Sequence, residues 1–188
     1  MNIDINVPCG ISGNWRVEEF KVSDNERLSS FFSYGSRSVP EGTYKRLMRN
    51  STVVMSNTPA EIRDHYQFIS TAKRQGGNIL INGLGLGVSL SEILKSDNVL
   101  SVTVIENSQD VINLVANSYI DKRVEIIKSD AFEWKPPINI RYSAVWHDIW
   151  DYICGDNLPE MTKLHRKYGR KTDWQGSWCK YECQAYSR

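Results

Sequence analysis

Four carboxylates in the middle of the chain, Glu106, Asp130, Asp148 and Asp151, each follow a short apolar run, and a glycine-rich turn, Asn82-Gly83-Leu84-Gly85-Leu86-Gly87, follows another. A carboxylate at the end of a strand can accept hydrogen bonds from ribose hydroxyls, or take a proton from an attacking nucleophile. Glycines at 83, 85 and 87 allow a sharp turn after a buried strand and let a ligand approach main chain that side chains would otherwise shield. A nucleotide-like cofactor is the natural occupant of such a turn, although glycine turns also serve packing. The next apolar run, Ser101 to Ile105, ends in Glu106, the place where α/β folds put a ribose-binding carboxylate. Asp130, in Ser129-Asp130-Ala131-Phe132, reads as an acceptor for an exocyclic amine of adenine with Phe132 or Ile105 as apolar wall, or as a cap of the turn that follows. His147, beside Asp148, has a near-neutral intrinsic pKa and reads as a second proton acceptor, or as a satisfied histidine at a strand end.

These groups converge only if their segments share one sheet. The rhythm after Gly77 is strand 78–82, helix 87–95, strand 101–105, helix 109–118, strand 123–127 and strand 143–147. Such alternation predicts a parallel sheet with right-handed crossovers and helices on both faces, an α/β fold of Rossmann-like type. The carboxyl ends of its strands face the ligand crevice. Upstream, Thr58-Pro59-Ala60-Glu61 predicts a capped helix start, with Glu61 reaching back as a capping residue rather than a catalyst. Apolar Ile62, Tyr66, Ile69 and Ala72 extend that helix to about Arg74, before Gly76-Gly77. Thr58, Glu61 and His65 are expected on its crevice side, and Arg63 and Asp64 in solvent. Alternation at Ile3, Ile5 and Val7 and within Trp15 to Val22 predicts short half-buried strands. A short helix is expected from Asp24 to Phe32, a loop from Tyr34 to Gly42, and a hairpin from Tyr44–Met48 and Thr52–Met55 that turns at Arg49-Asn50-Ser51. The chain therefore divides into a β-rich extension, 1–57, that covers the crevice, and a Rossmann-like domain, 58–188, with a helical C-terminus. After Trp146 no further apolar strand is read; helices are expected from Asp156 or Asn157 to Tyr168 and from about Thr172 to Ala185.

At 188 residues the chain suits one well-buried core with an extension. A hydrophobic share of 40%, a charged share of 24% and a net charge of +1 are those of a soluble globular protein and give no global reason for a polyanionic partner. No stretch approaches the roughly 20 apolar residues that span a bilayer. The start Met1-Asn2-Ile3-Asp4 lacks the basic residues and apolar run of a secretion signal, so a cytoplasmic location is expected, with no membrane partner. Cys9, Cys154, Cys179 and Cys183 then read as reduced thiols. Cys179 and Cys183 have metal-pair spacing that His147 and His165 can complete, but without a second pair they read better as small buried hydrophobes, and no metal is expected. The basic run Lys163 to Lys171, followed by Trp174, Trp178 and Tyr181, reads either as a nucleic-acid track with aromatic stacking or as a solvated helix face. The tryptophans can equally cover an open sheet edge or form a homo-oligomer contact.

Taken in order, Ile-Asn-Gly-Leu-Gly-Leu-Gly, Val-Ile-Glu-Asn-Ser-Gln-Asp-Val-Ile, Ser-Asp-Ala-Phe-Glu-Trp and Trp-His-Asp-Ile-Trp-Asp resemble the spermidine synthase branch of the class I S-adenosylmethionine-dependent methyltransferase superfamily. The resemblance covers about residues 58 to 151. Ile81 stands where ordinary methyltransferases tend to be acidic and aminopropyltransferases apolar. Ser-Asp-Ala-Phe-Glu-Trp resembles that branch's Gly-Asp-Gly-Phe-Glu-Phe, and Asp148-x-x-Asp151 its Asp-Ser-Ser-Asp. More loosely, Ala60 to His65 resembles its Asp-Glu-Phe-x-Tyr-His.

The resemblance implies that Gly83, Gly85 and Gly87 approach the methionine portion of S-adenosylmethionine or its decarboxylated form, Glu106 the ribose and Asp130 the adenine. Asn82, Asn107 and Ala131 of the same motifs join the cofactor-binding positions, and Asp148, Asp151 and His147 the catalytic ones, with Asp148 where the reacting amine loses its proton. It departs after Asp148, where helices are read in place of a further strand, a helix and an antiparallel hairpin, and where His147, Ile149 and Trp150 are large. An Asn-Pro-Pro-Tyr motif of base-methylating enzymes is missing, since Lys135-Pro136-Pro137-Ile138 reads as a turn. The expectation is a class I methyltransferase on an unidentified acceptor, with a small-molecule substrate expected as partner; the alternatives are an aminopropyltransferase and a binding protein that keeps the sheet without the chemistry.

Overall fold

The computed structural model describes residues 3–25 and 38–186, whose strands form two sheets. The first is antiparallel, in the order β1 (Gly10–Ser12), β2 (Trp15–Val22), β3 (Gly42–Arg49) and β4 (Thr52–Ser56). The β3–β4 hairpin turns as expected, with Asn50 at a positive φ of 54° that asparagine tolerates. Ile3, Ile5 and Val7 are buried as their alternation requires, but they pair with no strand. Side-chain donors replace the missing ladder there: Lys45 Nζ donates to the Val7 carbonyl at 2.5 Å and Asn57 Nδ2 to that of Ile3 at 3.0 Å. Asp24 and Asn25 are helical; the rest of the segment to Phe32, and Tyr34 to Arg37 of the following loop, lie outside the described residues.

The second sheet is wholly parallel, in the order β7-β6-β5-β8-β9. Its strands are β5 (Gly77–Asn82), β6 (Val99–Glu106), β7 (Val124–Lys128), β8 (Tyr142–His147) and β9 (Thr172–Ser177). Ile79, Leu80 and Ile81 of central β5 are buried on both faces, which is what a strand covered by helices on either side requires. The helices are α1 (Pro59–Asp64), α2 (Tyr66–Gln75), α3 (Val88–Ile93), α4 (Gln109–Val115, continued by a 3-10 turn, Ala116–Tyr119), α5 (Asn157–Tyr168) and α6 (Lys180–Ala185). Among the described residues, no helix is long and apolar enough to cross a membrane.

Two expectations are corrected. The helix expected from Thr58 to Arg74 is two helices that break at His65, whose φ of −92° and ψ of −8° tighten the turn so that its N–H meets the Ile62 carbonyl. The break turns the imidazole inward, edge-on to Trp146 with ring centroids 5.8 Å apart. Thr58 makes no capping bond; the Glu61 carboxylate reaches past it and accepts the Ser56 N–H at 2.7 Å and the Ser56 hydroxyl. The second correction is β9, read from sequence as helix. Thr172-Asp173-Trp174-Gln175-Gly176-Ser177 has no apolar run, yet it pairs with β8, Ala144 opposite Trp174 and Trp146 opposite Gly176. Trp174 stacks on Trp146, which stacks on Phe68 of α2, with centroids 6.4 and 5.3 Å apart. That three-ring pile supplies the burial that the strand's own pattern lacks.

Candidate functional site

A cavity of about 620 Å³ opens over the carboxyl ends of β5, β6, β7 and β8, and Trp15, Leu47, Arg49, Val54 and Met55 of the antiparallel sheet line its opposite side. Its size falls within the range of small-molecule sites. The glycine turn forms one wall through Gly83 and Gly85. A Cβ on Gly83 would overlap the Asp148 carbonyl oxygen, so the missing side chain lets the ends of β5 and β8 meet. Gly87 is not at the cavity; the ring of Tyr119 packs over it, and the Tyr119 hydroxyl donates to the Leu86 carbonyl at 2.7 Å.

All four strand-end carboxylates line this space. Glu106 accepts the Leu84 N–H through Oε2 at 2.8 Å and the Ser108 N–H through Oε1 at 2.7 Å, so one carboxylate ties the glycine turn to the end of β6. Burial pushes its pKa up while these amides pull it back, the net direction being upward. Asn107 follows it at the cavity. Asp130 caps its own turn, Oδ1 accepting the Phe132 N–H at 2.7 Å, and it faces the cavity beside Ala131, Phe132 and Ile105. Asp151 is ion-paired with Arg49, whose guanidinium lies 5.4 Å from the centre of the Trp15 ring, which joins the roof to the rim.

Asp148 is the most perturbed of the four. Burial raises its pKa well above the usual carboxylate range, and the neighbouring charges of Glu61, Asp64 and Glu106 add to this. His65 Nδ1 stands 3.8 Å from its Oδ2. That imidazole is 1% exposed, and neither ring nitrogen has a hydrogen-bond partner among the described residues. Burial holds it neutral, with its pKa pushed down to about 4.

His147 and Asn82 are corrected. Both are fully buried beneath the cavity rather than in it. Asn82 Nδ2 and His147 Nδ1 are 2.8 Å apart, and His147 Nε2 meets Gln175 Oε1 at 3.3 Å. Burial drives the His147 pKa down to about 3, so this ring stays neutral and cannot serve as a proton acceptor at the cavity. The pair instead joins β5, β8 and β9, and Tyr168 of α5 continues the layer by donating to the Ala131 carbonyl at 3.0 Å.

Three lysines of the basic segment make contacts within the fold, while Arg166 and Arg170 are exposed. Lys167 donates to the Ala131 and Phe132 carbonyls, Lys171 to those of Pro137 and Ile138, and Lys163 lies over the Phe132 ring. Trp174 belongs to the ring pile, and Trp178 is buried and lines the cavity. Of the three aromatic residues in the nucleic-acid reading, only Tyr181 is exposed.

Several lining residues gave no local signal in the sequence. Arg49 and Met55 arrive from the hairpin, Asp110 from α4 and Glu160 from α5, where its carboxylate accepts the Trp150 indole N–H at 2.7 Å. Among the described residues, with Glu61, seven carboxylates line the cavity against one guanidinium, which is already paired to Asp151.

No protein-family model matches the chain, and no curated protein matches it in sequence. Solved structures do match. Spermidine synthase from Thermotoga maritima is 16% identical with a TM-score of 0.53, over 88% of this chain and 52% of that one. Spermidine synthase in complex with the transition state analogue AdoDATO is 16% identical with a TM-score of 0.55, over 88% and 54%. The plantazolicin methyltransferase BpumL in complex with SAH is 16% identical with a TM-score of 0.44, over 58% and 44%. The chain spans about half the length of the spermidine synthases. At this identity the likeness is one of architecture: a five-stranded parallel sheet with its helices and an antiparallel sheet before it, folded like spermidine synthase.

Proposed function

We propose that the chain is a transferase that uses an adenosyl sulfonium, S-adenosylmethionine or its decarboxylated form, to alkylate an amine. The observation that carries this reading is the gathering of Glu61, Glu106, Asp130, Asp148 and Asp151 around one cavity beside the glycine turn. The residues fit such a group. Glu106 spends one lone pair of each oxygen on a backbone amide and keeps others for ribose hydroxyls. Asp130, Ile105 and Phe132 all line the cavity, which suits an adenine edge and its faces. The likeness in fold to a spermidine synthase crystallised with AdoDATO supports an adenosyl ligand for the cavity.

The bound group would supply an alkyl carbon activated by positive sulfur. The chain's own contribution is alignment and one proton transfer. An attacking amine must present a free lone pair, and Asp148 can accept its N–H and hold the nitrogen in line. Because burial and neighbouring charges raise its pKa, the Asp148 carboxylate is a stronger base than an exposed one and takes the amine's proton more readily. His65, neutral and 3.8 Å away, presents its ring to the same corner.

Methyl transfer is the simpler form of this reaction. Aminopropyl transfer from the decarboxylated cofactor is the second reading, favoured by the scarcity of cationic groups for an α-carboxylate. Incubation with each cofactor and a panel of amines that includes putrescine, followed by mass spectrometry, tests both. A methylated or aminopropylated amine from wild type, with at least about a hundredfold loss of rate in Asp148→Asn, is the expected result. Absence of any alkylated product would leave only a binding protein.

A further inference from the structure

A second, much smaller chamber, of about 10 Å³, adjoins the main cavity and shares Met55, Gly83 and Asp148 with it. Its other walls are apolar residues of the glycine turn, β5, β6 and α3, joined by Ser89 of α3 and Trp146 of β8. Ser89 and Trp146 are 6% and 3% exposed, and among the described residues neither the Ser89 hydroxyl nor the Trp146 indole N–H has a hydrogen-bond partner. The Asp148 carboxylate is short of a donor too, since His65 Nδ1 stands 3.8 Å from it, beyond hydrogen-bond length. Neighbouring groups are already taken: Met55 Sδ accepts the Leu86 N–H at 3.2 Å, and the Gly83 N–H goes to the Ile105 carbonyl at 2.8 Å. Buried polar groups are normally paired, so two orphans and a carboxylate on the wall of one chamber point to a shared partner.

Size and chemistry together define that partner. About 10 Å³ is room for one water-sized particle and nothing larger. An indole N–H only donates, so its partner must accept, which excludes a metal or ammonium ion. An ionised carboxylate only accepts, so the same partner must also donate. Water does both, and a chamber that carries unpaired polar groups holds it where a wholly apolar one stays dry.

We propose that this chamber is a binding site for one internal water, which accepts the Trp146 indole N–H and the Ser89 hydroxyl and donates to the Asp148 carboxylate. The water ties β8 to the start of α3 behind the glycine turn. It reaches Asp148 from the chamber, so the carboxylate keeps other lone pairs for the main cavity.

A crystal structure of the wild-type protein, without added ligand and at a resolution that shows ordered water, tests the proposal. The expected result is one density peak in the chamber within about 3.2 Å of Trp146 Nε1, Ser89 Oγ and an Asp148 carboxylate oxygen. Ser89→Ala removes one of the three partners, and the peak there should weaken or shift away from residue 89. A wild-type chamber without density overturns the proposal, as does a peak with contacts of about 2.1 Å, which would be a metal ion. A peak unchanged by Ser89→Ala overturns the three-partner site. The wild-type map decides the matter even if the variant does not fold, and either result leaves the adenosyl reading of the main cavity untouched.

Discussion

Asp148 reports on its surroundings through its proton. Its folded pKa is raised, because burial and the neighbouring carboxylates disfavour the charged form. The stability this gives is fully present below the ordinary aspartate pKa of about 3.9 and is lost as pH rises through the folded value, because only the unfolded chain ionises the group freely. Asparagine resembles the neutral acid. Asp148→Asn should therefore melt at a higher temperature than wild type at about pH 8, the gap closing towards about pH 4, in thermal melts followed by circular dichroism. Two glycines a turn apart separate packing from approach. Alanine at Gly83 meets the Asp148 backbone carbonyl at a φ of 99° and should cost about 3 kcal/mol or more in urea unfolding. At Gly85 the obstacle is the movable end of Met55, and alanine should cost about 1 kcal/mol, mostly for the φ of 51°.

The elements explain why part of the chain was legible and part was not. β5 and β8 carry short apolar runs bounded by turns, and a strand buried on both faces leaves that record in its own residues. The order of the expected elements from Gly77 to His147 is the order found. β9 leaves no such record: its hydrogen bonds go to β8, and its burial comes from the ring of Trp174 against Trp146 and Phe68, residues distant in sequence. The break at His65 escaped for the same reason, since Ile62, Ile69 and Ala72 keep helical spacing across it while the tight turn answers to Trp146. Across α2 the consequence is measurable. Phe68 is fully buried in the ring pile, so Phe68→Ala should cost about 3–5 kcal/mol, whereas Tyr66→Ala, at a side chain 63% exposed, should fall within about 0.5 kcal/mol of wild type. Equal losses in urea unfolding would mean that α2 faces the sheet differently.

At the scale of the molecule, one sheet carries the carboxylates and the other covers them. Glu106, Asp130, Asp148 and Asp151 were legible as a convergent set because strand ends in a parallel sheet share one edge. Asn82, His147 and Gly87 belong to the same sequence motifs, but side chains alternate along a strand and around a turn, so these three serve the layer beneath. The roof residues Trp15, Arg49 and Met55 become neighbours of the cavity only when the antiparallel sheet docks, which Ser12 assists by donating to Asp110 of α4 at 2.7 Å. No local pattern encodes such a meeting.

The central claim is that this cavity grips an adenosyl group, and a crystal structure of the protein grown with 5′-methylthioadenosine tests it most directly. The account expects the ribose hydroxyls on Glu106, the adenine between Ile105 and Phe132 with its amine towards Asp130, and the sulfur beside Met55 and Asp148. Nucleoside density elsewhere, or none at millimolar ligand, would contradict it.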